Sequence, residues 1–379
     1  MSRTKTEEGG ASMDGNMRLQ DELGKSADDL RVHGGRIDAA ARLYCSAPRP
    51  WIDLSTGINP LAWPVPQIAL ARYQRLPLAS EISAMVDAAA GFYGLPANAE
   101  IVPVPGSEIA IRLLPRLLPS GRVGILTPTY RSHAAAWIEA GAEVSELATL
   151  PDPGSRDFET LVIVNPNNPD GRLLPCAKLV AFAKVWTAAG RRLIVDEAFA
   201  EVAEDASLLL MTELPAGVVI LRSLGKFFGL AGLRVGFAVV AKSDALAWHH
   251  MLGDWPVSGP ACEIAMLALR DRAWIAATRA RLAVDRKRLD HALERASFRV
   301  LGGTHLFGLF EARDESNWLD HFARAGILVR AFAASPRHYR LGLPADEAAW
   351  QRLELACRAA SSPARRPNTA QSVTPRPAR

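Results

Sequence analysis

The stretch SLGKFFGLAGLRVGF, Ser223–Phe237, holds one lysine among small and apolar residues, with Arg234 a little further on. Burial disfavours an ammonium, so Lys226 suits chemistry that uses a neutral amine, above all imine formation with a carbonyl. Other chemistry-bearing types precede it. Gly106, Ser107 and Glu108 open a helical pattern in PGSEIAIRLL, where free N–H groups and the helix dipole suit a phosphate. Tyr130 ends TPTY, Asn168 lies in NPNNPDG, and Asp196 begins DEAF. This set meets the needs of pyridoxal phosphate. Its aldehyde takes a lysine, its ring nitrogen a carboxylate that keeps it protonated, and its ring face an aromatic side chain. Its phosphate takes N–H groups, hydroxyls and a guanidinium fork. GLAGLRVG has the look of a dinucleotide loop, but it leads into a strand pattern rather than a helix, which fails that motif's context.

Positioning these residues needs a sheet. Short apolar runs RVGIL, AEVSEL, TLVIV, RRLIV and GVVIL alternate with helical patterns such as RSHAAAWIEA and CAKLVAFAKVWTAAG. That alternation predicts an α/β fold with a mostly parallel sheet covered on both faces. Ligands of such sheets bind outside the carboxyl ends of the strands, where Tyr130, Asn168, Asp196, Ser223 and Lys226 all fall. Only the Gly-rich link Arg222–Arg234 separates GVVIL from VGFAVV, too little for an ordinary parallel crossover, so Val235–Val240 is expected to run antiparallel. SEISAMVDAAAGFYGL reads as a helix with Ser80 as N-cap and Gly94 at its stop. From about Asp254, long helical patterns and the short strands FRVLGG, HLFGLFEA, GILVRAF and HYRLGLP indicate a smaller α+β domain. The expected organisation is a disordered leader (1–30), an N-terminal segment that joins the small domain and the site (31–75), a large domain (76–253), the small domain (254–360) and a disordered tail (361–379).

Composition narrows the class. The 379 residues are 49% hydrophobic and 22% charged, ordinary globular values with ample core. The net charge of +4 is small, and part of it lies in the Pro- and Arg-rich tail, so nucleic acid is not an expected partner. The four cysteines are scattered without a CxxC pair, which argues against a disulfide framework or a zinc site and fits a reducing cytoplasm. The polar leader lacks the apolar core of a signal peptide, and no apolar run reaches the roughly 20 residues of a membrane span.

The ordered set PGSEIAI, TPTY, NPNNPDG, DEAF, SLGKFFGLAGLRVGF and HYRLGLP resembles the class I/II aminotransferase superfamily of fold-type-I pyridoxal-phosphate enzymes. The resemblance covers roughly Arg31 to Ala360. It implies that Lys226 binds the cofactor covalently, that Asp196 pairs with the ring nitrogen, that Asn168 bonds the ring hydroxyl and that Tyr130 stacks on the ring. It implies that Gly106, Ser107, Ser223 and Arg234 hold the cofactor phosphate. Arg340 would bind the substrate carboxylate, and Tyr73 would reach the cofactor phosphate of the other subunit of a homodimer.

Within the superfamily, HGGRIDAAA, WIDLSTGINPLAWP and Phe199 resemble the L-threonine O-3-phosphate decarboxylases of cobalamin biosynthesis. Many aminotransferases carry a tyrosine where this chain has Phe199, whose ring has no hydroxyl for the cofactor oxygen. The resemblance implies loss of carbon dioxide from a phosphorylated amino acid and reprotonation by Lys226, giving (R)-1-aminopropan-2-yl phosphate. His33, Asn59 and Arg330 are candidates for the substrate phosphate, with Arg340, Asn168 and the Gly57 backbone left for the carboxylate end. Arg36 stands where relatives more often carry a polar amide, and Pro105 where they carry Asn. The alternative is an aminotransferase of a phosphorylated amine such as histidinol phosphate. Taken singly, several residues have plainer readings: Lys226 as a solvated loop lysine, Asp196 as a helix cap, NPNNPDG as turn chemistry, Tyr130 as a core aromatic, His33 as a structural histidine and Arg330 as a surface arginine. DNA-binding regulators built on this fold carry a helix-turn-helix domain ahead of it, and the polar leader has no such pattern.

Overall fold

Continuous aliphatic runs bounded by Gly and Pro become the central strands, because a strand covered on both faces needs apolar residues at every position. The computed structural model describes residues 30, 31 and 33–361. The leader and tail expected to be disordered lie outside these residues, apart from their innermost positions. The chain opens with α1 (Ile37–Leu43), β1 (Ile52–Asp53), the single turn α2 (Ala71–Gln74) and the longer α3 (Ala79–Tyr93). Strand and helix then alternate through β2 (Ala99–Val104), α4 (Ser107–Leu117), β3 (Arg122–Leu126), α5 (Arg131–Glu139) and β4 (Glu143–Leu147). They continue through β5 (Thr160–Val164), α6 (Cys176–Ala188), β6 (Arg192–Asp196), β7 (Val218–Ser223) and β8 (Gly236–Ala241). Helices α7 (Lys242–Leu252), α8 (Gly259–Arg270) and α9 (Arg272–Arg295) follow. The C-terminal part comprises β9 (Phe298–Thr304), β10 (Phe307–Ala312), α10 (Trp318–Arg324), β11 (Ile327–Leu328), β12 (Arg330–Phe332), β13 (Ser335–Gly342) and α11 (Glu347–Ser361).

The main sheet has seven strands in the order β2-β8-β7-β6-β5-β3-β4. Its pairs are parallel except those of β8, which runs antiparallel to both β7 and β2. The antiparallel strand expected after the Gly-rich link is therefore present, one residue later than Val235–Val240. A second sheet, β12-β13-β10-β9, is antiparallel, and β1 pairs in parallel with β11. That last pair ties the N-terminal segment to the C-terminal part. Beyond Asp254, α8 packs along α3.

Three local features differ from expectation. The helix expected to start on Ser80 begins at Ala79, and the Glu81 carboxylate accepts the Leu78 N–H at 2.9 Å, so Ser80 lies inside the first turn. Strand β2 is not announced by its residues, because Pro103 interrupts the pattern; it is an edge strand, where proline is tolerated. GILVRAF divides into β11 and β12, which belong to different sheets.

Side-chain alternation across β6 and β7 decides what reaches the carboxyl edge. Leu193 and Val195, with Val218 and Ile220, face the larger core cluster, whereas Ile194, Val219 and Leu221 face the smaller one beneath α4 and α5. A strand repeats every second residue, so Asp196 and Ser223 continue the side of α4 and α5. Arg222 continues the opposite side.

Candidate functional site

The phosphate-like cup forms first, from backbone. Gly106 caps α4 with φ +87°, and a Cβ there would stand 2.4 Å from Arg234 Nη2. Only glycine admits both that conformation and that approach. Arg234 itself takes a left-handed conformation and donates Nη1 to the Ala231 carbonyl at 3.2 Å. A Cβ on Gly236 would lie 2.7 Å from the Ser107 nitrogen and 2.8 Å from the Arg222 carbonyl oxygen, so β8 threads between α4 and β7. Ser223 Oγ accepts the Gly225 N–H at 3.3 Å, which leaves its own hydroxyl proton to donate. The N-terminus of α4, a serine hydroxyl and a guanidinium thus form a site for a dianion.

Asp196, Tyr130 and Asn168 are the types expected to meet a cofactor ring. Asp196 is 4% exposed, and its Oδ2 lies 3.0 Å from Nε2 of the fully buried His133. His133 Nδ1 is buried with no partner among the described residues. A neutral imidazole carries one N–H, and a buried one needs an acceptor, so the proton belongs on Nε2 and donates to Asp196. Asp196 Oδ1 accepts the Ala198 N–H at 3.0 Å. Tyr130 donates its hydroxyl to Glu108 at 3.0 Å. Asn168 Oδ1 accepts from Arg340, whose other terminal nitrogen donates to the Ser55 carbonyl. The Arg340 Nε is buried without a partner among the described residues.

Lys226 is mostly buried and enters no ion pair among the described residues. Burial, then the charge of Arg340, pushes its pKa down from 10.5 to about 8, with Arg234 adding to the shift and Asp196 and Glu108 opposing it. Its Nζ lies 5.7 Å from the centre of the Phe199 ring, which packs edge-on against Phe307. Gly57, with φ +63°, completes this wall: a Cβ there would be 2.9 Å from Phe307 and 3.7 Å from Phe199.

A second cationic group lies at the mouth. Arg330 is 9% exposed and donates Nη1 to the Arg31 carbonyl. Burial lowers its pKa to about 10, with Arg131 and Arg36 contributing. His33 also binds its proton less readily than usual, through partial burial and then Arg330, Arg36 and Arg131. Such a cluster favours an anion. The sequence pattern does not single out His133 or Arg131; a lone histidine and a first-turn arginine carry no distinguishing spacing.

Tyr73, expected to reach the other subunit's cofactor phosphate, stands 63% exposed on α2. One expected substrate contact is placed otherwise. Asn59 is 1% exposed, and its side chain is committed to protein: Nδ2 donates to the Phe227 carbonyl at 2.8 Å, while Oδ1 accepts from Leu61 N at 3.1 Å and Arg281 at 2.6 Å. It binds the Lys226 loop rather than opening toward a substrate phosphate.

Behind the site lies a buried ion cluster. Arg222 Nη2 meets Glu197 Oε2 and Ser207 Oγ, each at 2.7 Å, and Nη1 lies 3.7 Å from Glu201 Oε1. Glu197 also accepts from Ser207 Oγ and Leu208 N, both at 2.7 Å, and Tyr93 donates to Glu201 at 3.2 Å. Burial raises the Glu201 pKa to about 7 against the pull of Arg222.

The match to known proteins agrees with this geometry. Residues 69–353 match the family described as Aminotransferase class I and II. The chain is 41% identical, over 88% of its length and 98% of the relative's, to a threonine-phosphate decarboxylase of Pseudomonas aeruginosa. It is 39% identical to one of a Sinorhizobium species, over 85% and 96% of the two chains. Its fold superposes with TM-score 0.74 on a histidinol-phosphate aminotransferase of Sinorhizobium meliloti solved with pyridoxal-5'-phosphate, at 20% identity and covering 85% and 94% of the two chains. The chain belongs to the class I and II aminotransferase family.

The site's electrostatics have measurable outcomes. Acetylation of Lys226 in the cofactor-free protein, followed by peptide mass spectrometry, should rise with pH through a midpoint near 8, since only the neutral amine reacts; a midpoint near 10.5 would mean a water-like lysine. Arg222→Met should lower unfolding free energy by about 3–5 kcal/mol, because it strands a buried carboxylate. Adding Glu197→Gln should recover part of that loss in the same denaturant titration.

Proposed function

We propose that the protein is a pyridoxal-phosphate enzyme that decarboxylates L-threonine O-3-phosphate to (R)-1-aminopropan-2-yl phosphate, a reaction serving cobalamin biosynthesis. The observation that carries this reading is a run of cations gathered beside one largely buried amine. Arg340 acts on Lys226 directly, and Arg330, its partner across β12 and β13, stands with Arg36, Arg131 and His33. Cations for two anionic groups suit a substrate that carries both a carboxylate and a phosphate. Histidinol phosphate has no carboxylate of its own, so in a transamination the carboxylate would come from the 2-oxo-acid acceptor, which is why dependence on that acceptor separates the two readings. The near-full-length likeness to two threonine-phosphate decarboxylases supports the same choice.

The residues fit the cofactor: the glycine-lined cup accepts a phosphate, the buried amine has no competing carboxylate partner, and Asp196 is held as an acceptor. Bound pyridoxal phosphate supplies an electron sink for the pair left on the α-carbon as carbon dioxide departs. Gly106, Ser107, Ser223 and Arg234 would hold its phosphate. Asp196, oriented by His133, would keep the proton on the ring nitrogen, and Tyr130 would be the aromatic partner of the ring. Lys226 would bind the cofactor and return a proton to the α-carbon. Arg340 grips the substrate carboxylate, and its bond to Asn168 ties that grip to the residue facing the ring oxygen. With Arg340 on the carboxylate and the Arg330 cluster on the distal phosphate, the substrate would be held at both ends, which would fix its orientation at the reacting carbon. Phe199 keeps the wall apolar and offers the ring oxygen no hydroxyl.

The protein is further read as a cytoplasmic homodimer. Leu61, Val65, Leu70, Tyr73, Leu76 and Leu78 are each at least 45% exposed along one stretch of chain. Covering that stretch with a second copy would bring Tyr73 toward the partner's cofactor phosphate. The four cysteines are free thiols, and among the described residues no helix is long and apolar enough to cross a membrane.

Incubation with L-threonine O-3-phosphate should release carbon dioxide without any 2-oxo acid. Product formation that depends on 2-oxoglutarate and yields an oxo compound would contradict the assignment and favour transamination. Arg340→Met should raise KM for the same substrate by about 10- to 100-fold, the worth of a charge-assisted hydrogen bond; an unchanged KM would remove Arg340 from the carboxylate site.

A further inference from the structure

Residues 53–63 cross the site as a strap. At its start, Ser55 Oγ accepts the Gly35 N–H at 2.7 Å, the Ser55 N–H donates to Asp53 at 2.8 Å, and the Ser55 carbonyl accepts from Arg340. In its middle, Gly57 lies against Phe307 and Phe199. Its second half runs along the turn that carries the lysine. The Asn59 N–H donates to the Lys226 carbonyl at 3.0 Å, and the Trp63 N–H donates to the Phe228 carbonyl at 2.9 Å. Between them, Asn59 Nδ2 donates to the Phe227 carbonyl at 2.8 Å. The two segments touch closely enough that a Cβ on Gly229 would stand 2.7 Å from Ala62 Cα and 2.8 Å from the Asn59 carbonyl oxygen.

The strap is itself fastened to α9. Arg281 donates Nη2 to Asn59 Oδ1 at 2.6 Å and pairs through Nη1 with Asp285 at 2.8 Å. Trp63 Nε1 donates to Asp271, the N-cap of α9, at 3.1 Å. Asn59 is therefore where three things meet: the lysine turn, the strap bound to Arg340, and α9. The turn between Ser223 and Gly229 has one internal bond at the lysine itself, from the Gly229 N–H to the Lys226 carbonyl at 3.2 Å. Among the described residues, the bonds that reach the Lys226–Phe228 backbone carbonyls from outside the turn come from the strap.

We propose that Asn59 is a positioning residue for Lys226, and that Arg281, which does not touch the lysine, acts on it through Asn59. The proposal rests on the reading of Lys226 as the reactive lysine. Removing the Asn59 amide leaves the Phe227 carbonyl and an Arg281 donor unpaired in a buried place. It also frees a glycine-flanked turn, and a shift of about 1 Å in a reacting group can cost on the order of a hundredfold in rate.

The test compares Asn59→Ala, Arg281→Met and the double variant with the unchanged protein. Steady-state kinetics on L-threonine O-3-phosphate use the holoenzyme, and amide hydrogen exchange over peptides spanning 224–230 uses the cofactor-free protein. Both single variants should lower kcat by at least about tenfold with KM little changed, and both should speed exchange in 224–230. The double variant should be no worse than Asn59→Ala, because the two act in series. A raised KM with kcat retained would make Asn59 a substrate contact and overturn the proposal. Lower thermal stability with kcat and 224–230 exchange unchanged would make it a residue of the fold alone and overturn the proposal equally. If Asn59→Ala does not fold, Arg281→Met and Asn59→Asp, which keeps the acceptor for Arg281, carry the comparison by the same criteria. Full activity in Lys226→Ala would instead remove the reading of the reactive lysine, while the exchange data would still report whether Asn59 holds the turn.

Discussion

A lysine amine held largely out of water is the constraint on which the rest of this structure depends. Burial strips the ammonium of solvation, and Arg340 and Arg234 add repulsion, so the charged form loses its advantage. Asp196 and Glu108 act the other way, and the balance leaves an amine that can be neutral close to physiological pH. Such an amine has to sit on a turn that can approach a ligand closely, yet be held firmly. Glycines at 225 and 229 supply the approach. The strap at 53–63, fastened to α9, supplies the hold.

The same constraint explains where the charges lie. Strand alternation sends Asp196 and Ser223 to the side of α4 and α5, and Arg222 to the other. Arg222 and Glu197 therefore meet in the core directly behind the site. A buried ion pair is weak evidence for stability. Here it links the ends of β6 and β7, which deliver the carboxylate and the lysine turn, and its remaining acceptors are met by Ser207 and Leu208.

Much of this is legible in the sequence, for identifiable reasons. Strands such as TLVIV are buried at every position, and their aliphatic runs are unbroken. The antiparallel course of β8 follows from a link too short for a crossover. Lys226, Asp196, Asn168 and Tyr130 stand out in the sequence because their types and order match one cofactor's needs. What is not legible depends on contacts between distant segments. Asn59 looks like a free polar residue until Phe227 and Arg281 are seen on either side of it. His133 gains meaning only from the Asp196 carboxylate 3.0 Å away. Arg131 and Arg36 become a cluster only when α1 and α5 are brought to the same mouth. Pro103 hides β2 because an edge strand tolerates what a central one would not.

All of this turns on Lys226 being the residue that binds the cofactor, and covalent trapping addresses that directly. The protein loaded with pyridoxal phosphate would be reduced with borohydride, digested and mapped by mass spectrometry. The reduced cofactor tag is expected on the peptide containing Lys226 and on no other lysine. A tag on Lys178, Lys184, Lys242 or Lys287 with Lys226 unmodified would contradict the assignment.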